Sequence, residues 1–226
     1  MPIAALRKTL VAFAVLFHAT LVLFACVDPV RSAKPQQEGW TALKSGDGVL
    51  FVWNRPDLGF SVDIKGNRIQ PLNDPEHIFF DVDGIIFQIQ SLPITDFAPD
   101  AKKQRLSIQS ILAAHRDWES QFISQQLLRT KLAIKSSNQN LPSGRELMLW
   151  QFDLPENLRN SNAKTQVYLT TVAGDYVILL NSVIGEKGSD VAVNKFLLDT
   201  IATLKVSSKP INLKQLQESL RKGQTH

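Results

Sequence analysis

Ile78-Phe79-Phe80-Asp81-Val82-Asp83-Gly84-Ile85-Ile86-Phe87-Gln88-Ile89-Gln90-Ser91-Leu92 places two apolar runs on either side of Asp83-Gly84. Asp-Gly tolerates positive φ at both turn positions, which is what a two-residue turn between twisted antiparallel strands requires. In the second run Ile85, Phe87 and Ile89 alternate with Ile86, Gln88 and Gln90, the two-residue period of a strand. The stretch predicts a hairpin, and with it an antiparallel sheet.

Working outward, the runs 49–54 (VLFVWN) and 58–64 (LGFSVDI) flank Arg55-Pro56-Asp57 and predict a second hairpin. Strand character returns at 131–135, 146–154, 166–173 and 176–184, with Gly174-Asp175 as a tight turn between the last two. Over 107–128 the period changes. Ile108, Ile111, Leu112, Trp118, Phe122, Ile123 and Leu127 recur at three- and four-residue steps, which predicts a long amphipathic helix with Ser107 as N-cap. A second helix is predicted at 190–204, its apolar face Val191, Val193, Phe196, Leu197, Ile201 and Leu204, and a short third at 213–222. Strands joined by short turns and segregated from helices predict an α+β fold: one antiparallel sheet of about six to eight strands, covered by the long central helix and a C-terminal helix.

The chain begins differently. Arg7 and Lys8 precede an uncharged apolar run over 10–25 that closes with Leu23-Phe24-Ala25-Cys26, and Cys26 is the only cysteine of the 226 residues. A cationic start, an apolar centre and a small residue before cysteine make a lipoprotein-type export signal. Acylation of Cys26 with two or more chains would anchor the protein stably. Phe24 is bulkier than this site usually holds, so an uncleaved apolar anchor and plain secretion stay open as alternatives. All three predict an exported protein, and the first a periplasm-facing envelope lipoprotein. Residues 27–38 contain two prolines and no periodicity, as in a tether. The expected organisation is signal 1–26, tether 27–38, a single α+β domain over 39–208 and a basic helix over 209–226.

Removal of 1–26 leaves 23 Lys and Arg against 21 Asp and Glu, a net charge of +2 with signs mixed along the chain. Nucleic-acid binding needs a clustered basic footprint, so no nucleic-acid partner is expected.

Leu58-Gly59-Phe60-Ser61-Val62-Asp63-Ile64, after a short strand and a Pro-Asp break, resembles the opening strand of PsbP/DcrB-like domains. The Gly-Asp hairpin into 176–182 and the helix-to-strand run 196–206 (FLLDTIATLKV) are similar to the ending of that family. The resemblance covers residues 40–208, with Lys65-Gly66 where the family often has proline. It implies an antiparallel sheet covered by helices, and an exported lipoprotein with no catalytic residues to carry over.

Catalytic sets are sparse. The sequence lacks Gly-x-Ser-x-Gly and both glycine-rich phosphate loops, and only His77, His115 and His226 follow the signal. Asp74, Glu76, His77, Asp81 and Asp83 would suit a hard cation only if they converged; alternation along the hairpin makes them solvent-facing and turn-forming instead. His115 and Glu119, four apart, have a spacing that can share a metal, but they read more simply as an exposed helical pair beside Arg116 and Asp117. Neither a metal nor a cofactor is expected. Trp40, Trp118 and Trp150 are the candidate ligand or partner contacts, with Trp40 the one expected to be exposed and core packing the competing role for the others. The basic tail over 205–222 suits an anionic surface or a solvated helix face.

These readings predict a membrane-tethered, non-enzymatic module that binds an envelope protein or stabilises an assembly. A carrier or sensor of a small apolar ligand held between sheet and helix is the alternative. A metal-dependent protein using the 74–83 acids is a more distant one. With Cys26→Ser, incorporation of labelled palmitate into the expressed protein should disappear; labelling equal to that of the parent chain contradicts the lipoprotein assignment.

Overall fold

The structure, a computed structural model, describes residues 39–46, 48–72, 78–159 and 163–223. Cys26, the tether, Asp74, Glu76 and His77 lie outside the described residues. Six strands come first: β1 (Gly39–Ser45), β2 (Gly48–Asn54), β3 (Gly59–Lys65), β4 (Ile69–Leu72), β5 (Phe79–Val82) and β6 (Ile85–Pro93). The one-turn helix α1 (Ala101–Gln104) and the long helix α2 (Ile108–Phe122) follow. Then come β7 (Lys135–Asn140), β8 (Glu146–Asp153), β9 (Thr165–Ala173) and β10 (Tyr176–Ile184). The chain closes with helix α3 (Asp190–Ala202), strand β11 (Lys205–Ser207) and helix α4 (Leu213–Gly223).

The fold is α+β, but the strands make two sheets rather than one. One has the order β1-β2-β3-β11, the other β4-β5-β6-β10-β9-β8-β7. The helices are also divided: α2 packs on β8 and β9 of the larger sheet, whereas α4 contacts β1 of the smaller. The expectation of one sheet covered by both helices is corrected accordingly. Its cause is the pairing of β3 with β11, Ser61 opposite Lys205, which no local pattern announces. The described residues form two compact units, one comprising Ile89–Asn194 and the other 39–88 with 195–223.

The turn of the hairpin over 78–92 lies in the second unit and forms as its chemistry requires. Asp83 and Gly84 stand at φ 51° and 92°. Asp81 accepts a hydrogen bond from the Gly84 amide at 2.8 Å, and Asp83 accepts from the Asn67 and Arg68 amides at 3.0 and 2.9 Å. These two acids therefore serve the turn. Directly opposed residues in antiparallel strands share a face, so Phe51, Val62 and their neighbours on alternate positions form one apolar layer. Phe51, Phe60, Val62 and Ile64 are completely buried. The Phe51 ring meets Phe80 edge-on at 6.0 Å, Phe80 stacks on Phe87 at 5.5 Å, and Phe87 meets Phe196 of α3 at 5.0 Å. Each such buried ring contributes about 2 kcal/mol through removal from water.

In the first unit, β9 is buried along nearly its whole length, as a strand covered on both faces must be. Ser107 caps α2, accepting from the Ser110 amide at 3.2 Å, and the helix ends in a π-helical turn over Ile123–Leu127. The strand expected at 131–135 lies instead at Lys135–Asn140. Leu132 and Ile134 suggested a strand, but the paired segment is polar and is held to β8 by its backbone.

Asn54, 1% exposed, clamps the segment that leads into α4: its amide donates to the Ile211 carbonyl at 3.0 Å and accepts from the Ile211 amide at 2.7 Å. Asn54→Ala leaves both backbone groups without that partner and should lower stability by about 2 kcal/mol, read as a fall in the urea midpoint at unchanged slope. An unchanged midpoint contradicts the clamp.

Candidate functional site

Two places concentrate the residues of functional interest. The first is the row Trp40–Trp53–Phe60–Val206, which crosses all four strands of the smaller sheet on the face that carries Phe51. Phe60 in its middle is buried, while both ends are open: Trp40 is 49% exposed and Val206 41%. The Trp40 ring stacks on Phe51, centroids 5.9 Å apart and planes 20° apart. The Arg55 guanidinium lies 5.1 Å from the centre of the Trp53 ring, within cation–π range. Trp40 is thus a large ring facing solvent on a rigid support, the combination that lowers the entropy lost on binding a partner.

The second place lies under α2 in the larger sheet. Ser136, Trp150, Tyr168 and Asn181 are opposed across β7, β8, β9 and β10 and so share a face. Arg116 of α2 donates to Ser136 at 3.1 Å, which puts the helix over that face. Trp150 and Tyr168 stack at 3.8 Å and 3°, and both are fully buried. Trp150 is therefore occupied as a core ring, and Trp118 is half-buried beside His115 and Phe97, at 6.3 and 6.2 Å. Trp118 and Trp150 belong to the first unit, Trp40 to the second.

His115 and Glu119 are not the exposed pair expected. They lie on the sheet-facing stripe with Ile111 and Leu112, His115 at 0% exposure and Glu119 at 4%. The spacing Ile111–His115–Glu119, four residues each, carried the signal, because it continues an apolar stripe with polar residue types. Arg116 and Asp117, between them, do pair at the surface, at 2.7 Å. Among the described residues, both His115 ring nitrogens, the Trp150 indole nitrogen, the Tyr168 hydroxyl and the Gln166 carbonyl oxygen are buried without a hydrogen-bond partner. Most buried polar groups are paired, so five such atoms in one layer is a strongly polar core. Burial pushes His115 down from 6.5 to about 4 and Glu119 up from 4.5 to about 7. Burial, and then the Glu119 charge, push the Tyr168 hydroxyl well above its ordinary range. No group of three or more His, Cys, Asp or Glu able to hold a metal occurs among the described residues.

The two shifts oppose each other in pH. Glu119 has a raised folded value, so its contribution is greatest below pH 4.5 and is lost as pH rises to about 7. His115 has a lowered folded value, so its contribution is present above pH 6.5 and is lost as pH falls to about 4. Each contribution amounts to about 3 kcal/mol. Between pH 4.5 and 6.5 the pair carries one proton in either state, on Glu119 when folded and on His115 when unfolded. His115→Phe should lose stability as pH rises from 4.5 to 7, and Glu119→Gln should lose it as pH falls from 6.5 to 4, in urea titrations across that range, whereas the parent stays level between 4.5 and 6.5. Variant profiles parallel to the parent contradict the assignment.

Compared with known proteins, the chain matches no family model and no curated protein at a significant level.

Proposed function

We propose that this chain is an exported envelope protein, tethered to a membrane through acylated Cys26, whose folded part is a non-enzymatic protein-binding module. The observation that carries the reading is Trp40, half-exposed on the edge strand of the smaller sheet and stacked on the buried Phe51. Tryptophan is prominent among the residues that dominate binding at protein interfaces, because it offers a large apolar face at little conformational cost. Val206 extends the apolar row at its far end. Resemblance to PsbP/DcrB-like domains agrees with the tether, since many bacterial members are exported lipoproteins. The apolar-ligand alternative is less well supported: the layer beneath α2 is lined by His115, Glu119, Tyr168 and Gln166, groups an apolar guest would leave unpaired.

Trp40→Ala removes the half-exposed ring that rests on Phe51 and should weaken association with the envelope partner roughly 30-fold. The readout is co-purification from detergent-solubilised membranes, with circular dichroism unchanged. Undiminished co-purification contradicts the reading.

A further inference from the structure

Among the described residues the two sheets have four edge strands, and three of them are protected against pairing with another chain. β4 has four residues and includes Pro71; β11 has three residues. β7 is Lys-Ser-Ser-Asn-Gln-Asn, without an apolar side chain to bury. β1 differs: seven residues, no proline and no bulge, its register with β2 unbroken from Gly39 opposite Asn54 to Ser45 opposite Gly48. Its one charge is Lys44. Edges of this kind are templates for strand addition, and proteins that do not use them usually blunt them with charge, proline, a bulge or a covering helix or loop. The helix that contacts β1 is α4; it is led in by the clamp on Asn54, on the sheet face opposite Phe51, and Trp40, Ala42 and Lys44 stay exposed on the other face.

We propose that β1 is the interface with a second copy of this chain, pairing antiparallel with its own counterpart about Ala42. This rests on the protein-binding reading of Trp40 and names the partner of that surface. The strand is self-complementary in this register. Ala42 faces Ala42 of the other copy, Thr41 faces Leu43, and Lys44 faces Trp40. The two lysines are kept apart, and each ammonium is set against an exposed indole, a favourable cation–π pair. A parallel pairing would instead place lysine beside lysine. Trp40, Ala42 and Lys44 are all exposed and share the Phe51 face, so the small Ala42 at the centre lets the flanking rings close over it. The pairing joins two four-stranded sheets into a continuous eight-stranded one, and satisfies the outer backbone groups of both β1 strands. A common membrane anchor favours it further by raising local concentration.

The test uses the full chain with Cys26→Ser, so that an introduced cysteine is the only one. Opposed residues of an antiparallel pair lie about 5 Å apart, within disulfide range. Ala42→Cys should therefore give a disulfide-linked dimer under mild oxidation in detergent. Lys44→Cys, exposed on the same face but about 14 Å from its counterpart in this register, should remain monomeric, and Trp40→Ala should reduce the Ala42→Cys dimer at least tenfold. Equal cross-linking at positions 42 and 44 overturns the register. Cross-linking of Ala42→Cys only to a different polypeptide in membranes overturns self-pairing but leaves the protein-binding reading standing. No cross-link of either kind, with partner association indifferent to Trp40→Ala, overturns both.

Discussion

Phe51 is the side chain on which the smaller sheet depends. Its buried ring meets Trp40 of β1, Trp53 of its own strand, Phe60 of β3 and Phe80 of β5. One residue of β2 thereby orders the edge strand, the sheet interior and the neighbouring hairpin together. The consequence for function is rigidity at the edge. Trp40 is half in solvent, yet its ring rests on a side chain with no exposed surface. An edge strand with an unsupported tryptophan would be a site of non-specific association; one whose tryptophan is held in a fixed plane can discriminate among partners.

The larger sheet makes a different choice under α2. There the helix stripe is completed by His115 and Glu119, against Tyr168, Trp150 and Gln166, where aliphatic side chains would give a cheaper core. The two titratable groups are displaced in opposite senses by the same cause, removal from water. Because one loses its affinity for a proton while the other gains it, the layer remains electrically neutral across mildly acidic pH.

Sequence patterns revealed those features set by neighbours in the chain. The hairpin over 78–92 was legible because Asp83-Gly84 specifies the turn and the alternation specifies a strand; the face was not, since Gln88 on the polar side is 1% exposed. The N-cap at Ser107, the long helix and the Gly174-Asp175 hairpin were legible for similar reasons, and so was the exposure of Trp40. The division into two sheets was not, since it turns on Ser61 meeting Lys205 across most of the chain. For want of apolar alternation β1 was not legible and β7 only a few residues out of place: the former is mostly exposed, and the latter is a polar strand recruited by backbone pairing alone. His115 and Glu119 were assigned to the surface because their residue types outweighed their spacing; packing of α2 on β8 and β9 reversed that.

The central claim is that β1 is a working edge, occupied in the functional state. Amide hydrogen exchange of the full chain, followed strand by strand over a range of protein concentrations, tests it most directly. The account predicts that amides of Gly39–Ser45 become progressively protected as concentration rises while those of β2 and β3 stay constant. Exchange from β1 that is fast and the same at every concentration would contradict it.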